Sequence, residues 1–340
     1  MERDSTTIGI LVVGTGFIAE QHAAAIAASP RARLAGLVDI SPARAAAASR
    51  ANGGVRWSTD LSEALAWPDV DACVVCTPND THTGIATEIA EAGRHLLIEK
   101  PLATTVAGAR QITGAFAAAG RVLMPAHTHR CYDYARTVKD AVESGRIGTP
   151  EVLRLAILGG WIWPDWRGWM LDPVRSGGHA LHNGVHLLDL AAWWTGDRPE
   201  TVYARGRRQT AAELEIYDYL EMVVGFAGGA TAVCEMSRGH RPTRYARREM
   251  LVSGDAGLLT LPWDGEAGEV VDDAGTALLP PGGADGFAVQ MAAFLSAVDG
   301  APPLVTGDDG LLAVAMGVAA ERSIATGEPV AVAEMLQAAA

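Results

Sequence analysis

The stretch that most restricts the fold lies near the start of the chain: IGILVVGTGFIAEQHAAAIAAS. Ile8 to Val13 is a short apolar, β-branched run, which reads as a buried strand. It passes directly into Gly14-Thr15-Gly16-Phe17-Ile18-Ala19. Alanine-rich sequence then continues to Ser29, with Pro30 as the stop. Strand, glycine turn and helix follow one another as in a dinucleotide-binding βαβ unit, with alanine in place of the third glycine. Gly14 permits the tight turn, Gly16 lets backbone approach a pyrophosphate, and Ala19 allows close helix–strand packing. The helix start at Phe17 and Ile18 offers unpaired N–H groups and a positive dipole end to phosphate.

A second strand, Leu34 to Val38, ends in Asp39, about 20 residues beyond the motif. An acid there accepts hydrogen bonds from both ribose hydroxyls of the adenosine and repels a 2′-phosphate. NAD is therefore expected over NADP, although nearby Arg44 softens the preference and keeps NADP open. On a plainer reading Asp39 only caps the helix that starts in SPARAAAAS.

The alternation continues. Ala72 to Cys76 reads as a strand ending in TPND, and Thr81 to Glu91 as a helix closed by Gly93. His95 to Ile98 reads as a strand ending in Glu99-Lys100-Pro101, Thr104 to Ala119 as a helix, and Val122 to Ala126 as a strand. Such alternation implies an α/β, doubly wound parallel Rossmann sheet, whose ligands bind beyond the carboxyl ends of the strands. Gly14, Gly16, Phe17, Ile18 and Asp39 should therefore share one edge with Thr77, Pro78, Asn79, Glu99 and Lys100.

After a helix from Asp133 to Ser144 the pattern changes. EVLRLAILGG, TVYARGRRQ, YLEMVVGFAG, ATAVCEMSRG and REMLVSG read as separate strand candidates without helices between them. They predict an α+β domain with a large, mostly antiparallel open sheet. The expected division is residues 1–126 for cofactor binding and 127–340 for substrate binding and oligomerisation. Gly286 to Val298 and Gly310 to Ala325 read as helices that pack on one domain or join the two.

A formal net charge of -13 argues against a nucleic-acid partner. MERDSTT lacks an apolar signal core, and no apolar run approaches the roughly 20 residues that span a membrane. The cytoplasm is the expected location. Cys73 and Cys76 lie in a predicted strand, where i and i+3 point to opposite faces, so a shared metal or local disulfide is not expected.

Trp161, Trp163, Trp166 and Trp169 gather in WIWPDWRGWMLDP. They form either a sugar-stacking wall, with Trp163, Trp166 and Arg167 as substrate contacts, or a plug at a domain junction. The segment SGGHALHNGVHLLD carries three histidines. As one regular helix from Gly177 to Gly196 it places His179, His182, His186, Asp189 and Trp193 within roughly an 80° arc. His182 and His186 at i, i+4 have the spacing of zinc ligands, but Asn183 stands where H-E-x-x-H requires a glutamate. Beside a nicotinamide site, imidazole suits proton transfer, and the Lys100 ammonium suits a developing alkoxide. No metal is expected.

VVGTGFIAEQH, VVCTPNDTH, IEKPLA, SGRIGTP and SGGHALHNGVHLLD together resemble the glucose–fructose oxidoreductase/inositol dehydrogenase (Gfo/Idh/MocA) family, in the family's order. The resemblance implies NAD(P)-dependent oxidation or reduction of sugars, polyols or their derivatives, and an open sheet that builds homodimers or homotetramers. It implies that Lys100 contacts the substrate hydroxyl and the nicotinamide side, that Lys100–Pro101 is often cis, and that His186 is the general acid/base. Asp189 matches the family's acid three residues later, and Thr77-Pro78-Asn79 its cofactor-bordering turn. At the position of His182 the family's dehydrogenases usually carry aspartate. An imidazole there orients substrate or relays a proton instead. His179 and Asn183 join His182, His186 and Lys100 as candidate substrate contacts. Two alternatives stand beside hydride transfer: NAD-assisted glycoside cleavage or elimination, and a non-catalytic NAD sensor.

Overall fold

The structure is a computed structural model, and it describes residues 7–159, 168–209, 212, 214–242, 244–261, 268–279 and 283–338. The chain forms two compact units. The first comprises Met1–Ala103, Gly108–Cys131 and Asp285–Leu311; the second comprises Thr104–Ala107, Tyr132–Ala284 and Leu312–Ala340.

In the first unit the elements run β1 (Ile8–Val13), α1 (Phe17–Ala28), β2 (Ala32–Val38), α2 (Pro42–Ala51), β3 (Trp57–Ser58), α3 (Leu61–Leu65), β4 (Ala72–Val75), α4 (His82–Glu91), β5 (His95–Glu99), α5 (Val106–Ala119) and β6 (Leu123–Ala126). The six strands are parallel, in the order β3-β2-β1-β4-β5-β6. This is the dinucleotide-binding order, with β1 at the centre. Strands β1 and β4 are buried along nearly their whole length, as the continuous apolar runs require of a sheet covered on both faces.

The second unit holds α6 (Asp133–Glu143), β7 (Pro150–Gly159), α7 (Pro173–Ser176), α8 (Val185–Thr195), β8 (Pro199–Arg207), β9 (Tyr219–Phe226), β10 (Thr231–Ser237), β11 (Ala246–Gly254), β12 (Gly257–Leu261), β13 (Gly268–Asp272) and β14 (Gly275–Leu279). Its nine-stranded sheet has the order β14-β13-β12-β11-β7-β10-β9-β8-β15, where β15 is Val330–Ala331. Among the described residues of this sheet, only β7 and β10 pair in parallel. The strands alternate: Leu153, Leu155 and Ile157, then Leu220, Met222 and Val224, then Cys234 and Met236, then Met250 and Val252 are buried on one face. The helix α8, whose Leu187, Leu188 and Ala191 are buried, packs against β7 and β10 and is tied to α6 by a Trp194 Nε1–H bond to the Ala135 carbonyl of 2.9 Å.

Residues 127–340 are thus divided between both units. The helix α9 (Gly286–Val298) belongs to the first, because Met291, Phe294 and Leu295 join Ile10, Val12, Ile26 and Leu97 in its core. The long helix α10 (Gly307–Thr326) follows, and α11 (Val332–Gln337) ends the described chain. Sequence periodicity missed β12 to β14. These strands have five residues each, and glycine and aspartate crowd their turns, so little alternation can accumulate.

Candidate active site

In the first unit the turn after β1 is set by backbone. Gly14 has φ +87°, and a Cβ there would stand 2.8 Å from the Cys76 carbonyl oxygen, so only glycine fits. Gly16 differs: its φ is -77°, and a Cβ would meet no protein atom within 4 Å. The space beside it is room for a ligand. Phe17 and Ile40 are exposed on the same strand edge, at 65% and 86%. A bare glycine at the start of a twelve-residue helix, with open space and apolar side chains beside it, fits a dinucleotide.

Asp39 lies at the end of β2, but its carboxylate is already engaged. Oδ2 accepts from the Thr15 N–H at 3.0 Å and the Thr15 hydroxyl at 2.7 Å; Oδ1 accepts from the Ser41 N–H at 2.8 Å and Arg44 Nη2 at 2.7 Å. Burial alone would raise its pKa, but the bonds from Arg44, Ser41 and Thr15 outweigh it and hold the carboxyl below its ordinary value. Asp39 therefore latches the glycine turn to β2. The helix cap of α2 is Ser41, which accepts from the Arg44 N–H.

Thr77, Pro78 and Asn79 form the turn after β4, and Glu99, Lys100 and Pro101 follow β5; the Lys100–Pro101 peptide is cis. His82 joins the two turns. Its Nδ1 is 2.8 Å from the Pro101 carbonyl and its Nε2 3.1 Å from that of Thr77. Burial pushes its pKa down, so the ring is neutral and one nitrogen donates, the shorter contact being the better bond.

Glu99, expected at the cofactor, is buried. Its Oε1 meets His22 Nε2 at 2.8 Å and its Oε2 accepts the Lys100 N–H at 3.2 Å. Burial opposes its charge, but His22 and Lys100 outweigh that and lower its pKa. Glu99 supports the Lys100 turn from behind. Sequence reading missed His22 and His82 as site-supporting groups; His22 follows Glu20-Gln21 within α1 and His82 opens α4, and neither position marks a partner in sequence.

In the second unit the histidine segment is not one regular helix. After α7, Gly177 and Gly178 take left-handed φ of +80° and +88°. Ala180–Gly184 forms a π-helical turn, and α8 begins only at Val185. The wider turn adds backbone between His179 and His186, so the arc expected from 100° per residue does not apply. Its cause is local. A Cβ on Gly178 would collide with the Glu321 carboxyl, and Glu321 Oε1 accepts the Ala180 N–H at 2.7 Å. Gly184 packs against Met222 and Leu220 on the inner face of the sheet.

His179 is buried, with Nδ1 2.6 Å from the Tyr217 carbonyl. His182 is buried and meets Trp169 edge-on, with ring centroids 5.3 Å apart. His186 is half-buried on the first turn of α8. Asp189 is buried, whereas Trp193 is gripped from outside by Lys139, whose ammonium donates to the Trp193 carbonyl at 2.8 Å. Asn183 is 1% exposed, and neither polar atom of its amide finds a hydrogen-bond partner among the described residues. A buried amide in that condition costs about 1–3 kcal/mol, which a hydroxylated ligand would recover. Burial lifts the Glu321 carboxyl to about 7, against the opposing Ala180 N–H bond.

Trp163, Trp166 and Arg167 lie outside the described residues. No three of the described His, Cys, Asp and Glu side chains cluster as metal ligands. The four cysteines are buried and form no disulfide, and burial raises the Cys73 and Cys234 thiols to about 12.

Comparison with known proteins agrees with both halves. Residues 8–127 match the model of an oxidoreductase family with an NAD-binding Rossmann fold, and residues 135–260 match the GFO/IDH/MocA C-terminal domain. The chain is 30% identical to the 1,5-anhydro-D-fructose reductase of Ensifer adhaerens, over 93% of this chain and 96% of that protein. It is 27% identical to the inositol 2-dehydrogenase of Rhizobium meliloti (strain 1021), over 96% of this chain and all of the relative. Among solved structures, GenD2 from gentamicin A biosynthesis, in complex with NAD, superposes with a TM-score of 0.85 at 29% identity, covering 97% of each chain. The chain belongs to the GFO/IDH/MocA family of oxidoreductases with an NAD-binding Rossmann fold.

Proposed function

We propose that this enzyme transfers hydride between NAD and a hydroxyl or keto group of a sugar, polyol or derivative. The observation that carries this reading is strand order. The turns at Gly14–Ile18, Thr77–Asn79 and Glu99–Lys100 follow β1, β4 and β5, which are adjacent in the sheet. A dinucleotide laid on the first turn reaches a lysine at the third.

The nicotinamide supplies a two-electron hydride acceptor when bound. The protein does the rest. Gly14, Gly16 and the N–H groups of Phe17 and Ile18 receive the pyrophosphate, and Asp39 receives the ribose. Lys100 holds the reacting substrate oxygen, and His186 takes or returns its proton. His182 orients the sugar with His179 and Asn183. Names of the relatives support the substrate class: a 1,5-anhydro-D-fructose reductase is named for a sugar derivative and an inositol 2-dehydrogenase for a polyol.

The enzyme is further proposed to work in the cytoplasm as a homodimer or homotetramer. No described helix is long and apolar enough to cross a membrane. Val152, Val271 and Leu278 stand exposed on strands of the large sheet, apolar area that a second copy would cover. The test is absorbance at 340 nm with NAD and a panel of monosaccharides, inositols and glycosides. NADH formed with one substrate class is the expected result. Tight NAD binding with no NADH from any member would leave the non-catalytic sensor as the better reading.

A further inference from the structure

Two residues of α10, one helical turn apart, meet the start of the π-helical turn. A Cβ on Gly317 would stand 2.7 Å from Leu181, and a Cβ on Gly178 would collide with the Glu321 carboxyl. Glu321 Oε1 also accepts the Ala180 N–H at 2.7 Å. Positions 317 and 321 are i and i+4, so they share one face of the helix. That face holds Gly178, Ala180 and Leu181, the entry and first two residues of the turn Ala180–Gly184. At the other end, Gly184 packs on Met222 and Leu220 of β9. The turn is fixed at both ends.

Between those ends lie His182 and Asn183. Asn183 stands three residues before His186 and is 1% exposed, and its amide finds no hydrogen-bond partner among the described residues. A backbone able to relax would carry that amide to water or to a carbonyl, because an unmatched buried amide lowers stability. The hold from α10 and β9 opposes such relaxation. Gly317 and Gly184 act by shape alone, whereas Glu321 acts by a directed bond. That bond needs an acceptor and not a charge, so an amide carbonyl serves as well.

We propose that Glu321 is a positioning residue for substrate recognition: it fixes the turn that keeps the Asn183 amide buried and ready for two adjacent ring hydroxyls, one donating to its carbonyl and one accepting from its N–H. The word substrate rests on the oxidoreductase reading. The hold on the amide does not.

The hold is tested by urea melts of the native chain, Asn183→Leu, Glu321→Met and the double variant. Methionine keeps the length of Glu321 and removes the acceptor. With the turn held, Asn183→Leu removes an unmatched amide; with the turn released, the amide has already found a partner. The effect of Asn183→Leu on the folding equilibrium constant should therefore differ about tenfold between the two backgrounds. Any overpacking by leucine cancels in the cycle. Additive effects overturn the hold. Should Glu321→Met not fold, Gly317→Ala, whose methyl pushes on Leu181, takes its place.

Recognition is tested with the NAD-loaded protein, D-glucose, myo-inositol and their singly deoxygenated analogues, by titration calorimetry and initial rates. The native chain should bind at least one deoxy analogue about tenfold more weakly than its parent. Asn183→Leu and Glu321→Met should each abolish most of that discrimination, and Glu321→Met should raise the sugar KM with kcat little changed. Glu321→Gln, which keeps a carbonyl for Ala180, should restore native behaviour. Discrimination that survives in Glu321→Met, or a glutamine variant as impaired as the methionine one, overturns the positioning role. The expected binding pattern without NADH from any sugar would keep the inference and remove the oxidoreductase reading.

Discussion

The two candidate half-sites are built by different means. At the first, the fold supplies the site: three turns stand at the ends of neighbouring parallel strands, and the buried groups there are held by hydrogen bonds, Asp39 to Thr15, Glu99 to His22 and His82 to the Pro101 carbonyl. At the second, a regular helix has been interrupted, and buried polar side chains are gathered in the interruption, with the Asn183 amide unmatched among the described residues. The first half-site is a surface prepared for a ligand that many proteins share. The second carries the cost of an unmatched buried amide, which a hydroxylated ligand would offset.

The largest expected effect tests the chemistry itself. Lys100→Ala should lower turnover by about 10²-fold or more, the usual scale for a positioned acid/base group. NAD affinity, followed by nucleotide fluorescence, should change little, because Glu99 and His82 hold the backbone of the turn. Normal turnover in this variant would remove Lys100 from the mechanism.

A pair of glycines separates the two kinds of site. Gly178→Ala must force a left-handed residue and displace Glu321, so a loss of about 2–4 kcal/mol in unfolding free energy is expected. Gly16→Ala meets open space at an allowed φ, so stability should hold within about 0.5 kcal/mol. NAD should nevertheless bind tenfold or more weakly, because the added methyl occupies ligand space. Denaturant melts and NAD titrations of both variants read the contrast. Equal effects on both quantities in both variants would erase it.

The same contrast explains what could be read from residues alone. In the first unit every signal is local: apolar runs give strands, Gly14 and Gly16 mark the turn, and β1, β4 and β5 lie within a few residues of their expected ends. The histidine segment was legible as a polar cluster but not as a shape. Its π-turn depends on Glu321, 141 positions away from Ala180, and no window of sequence contains that bond. The Arg44 bond to Asp39 likewise requires the folded start of α2.

Cofactor choice sharpens the first half-site further. Arg44 covers Asp39 from a largely exposed position, so its ion pair is weak and can open for ribose. Asp39→Ala removes the acceptor, removes repulsion towards a 2′-phosphate, and frees Arg44 to meet it. The ratio of NAD to NADP affinity should fall about tenfold. An unchanged ratio would reduce Asp39 to a latch for Thr15.

The smallest effect is a pH dependence that belongs to the second half-site alone. The Glu321 carboxyl titrates near its ordinary 4.5 in the unfolded chain and at about 7 in the folded one. Between those values the folded state binds the proton and the unfolded state does not. Its contribution to stability is thus fully present below about pH 4.5 and is lost as pH rises towards 7. Partial exposure discounts the effect to on the order of 2 kcal/mol. Glu321→Gln keeps a carbonyl for the Ala180 N–H and cannot ionise, so it should flatten stability over that window. Asp39 and Glu99 act with the opposite sign: their lowered values stabilise the fold at neutral pH and fail only in acid. Urea melts at pH 5, 6 and 7 would show the native chain losing stability relative to the variant as pH rises. Parallel curves would mean that the Glu321 carboxylate is solvated and that the π-turn is held by its glycines alone.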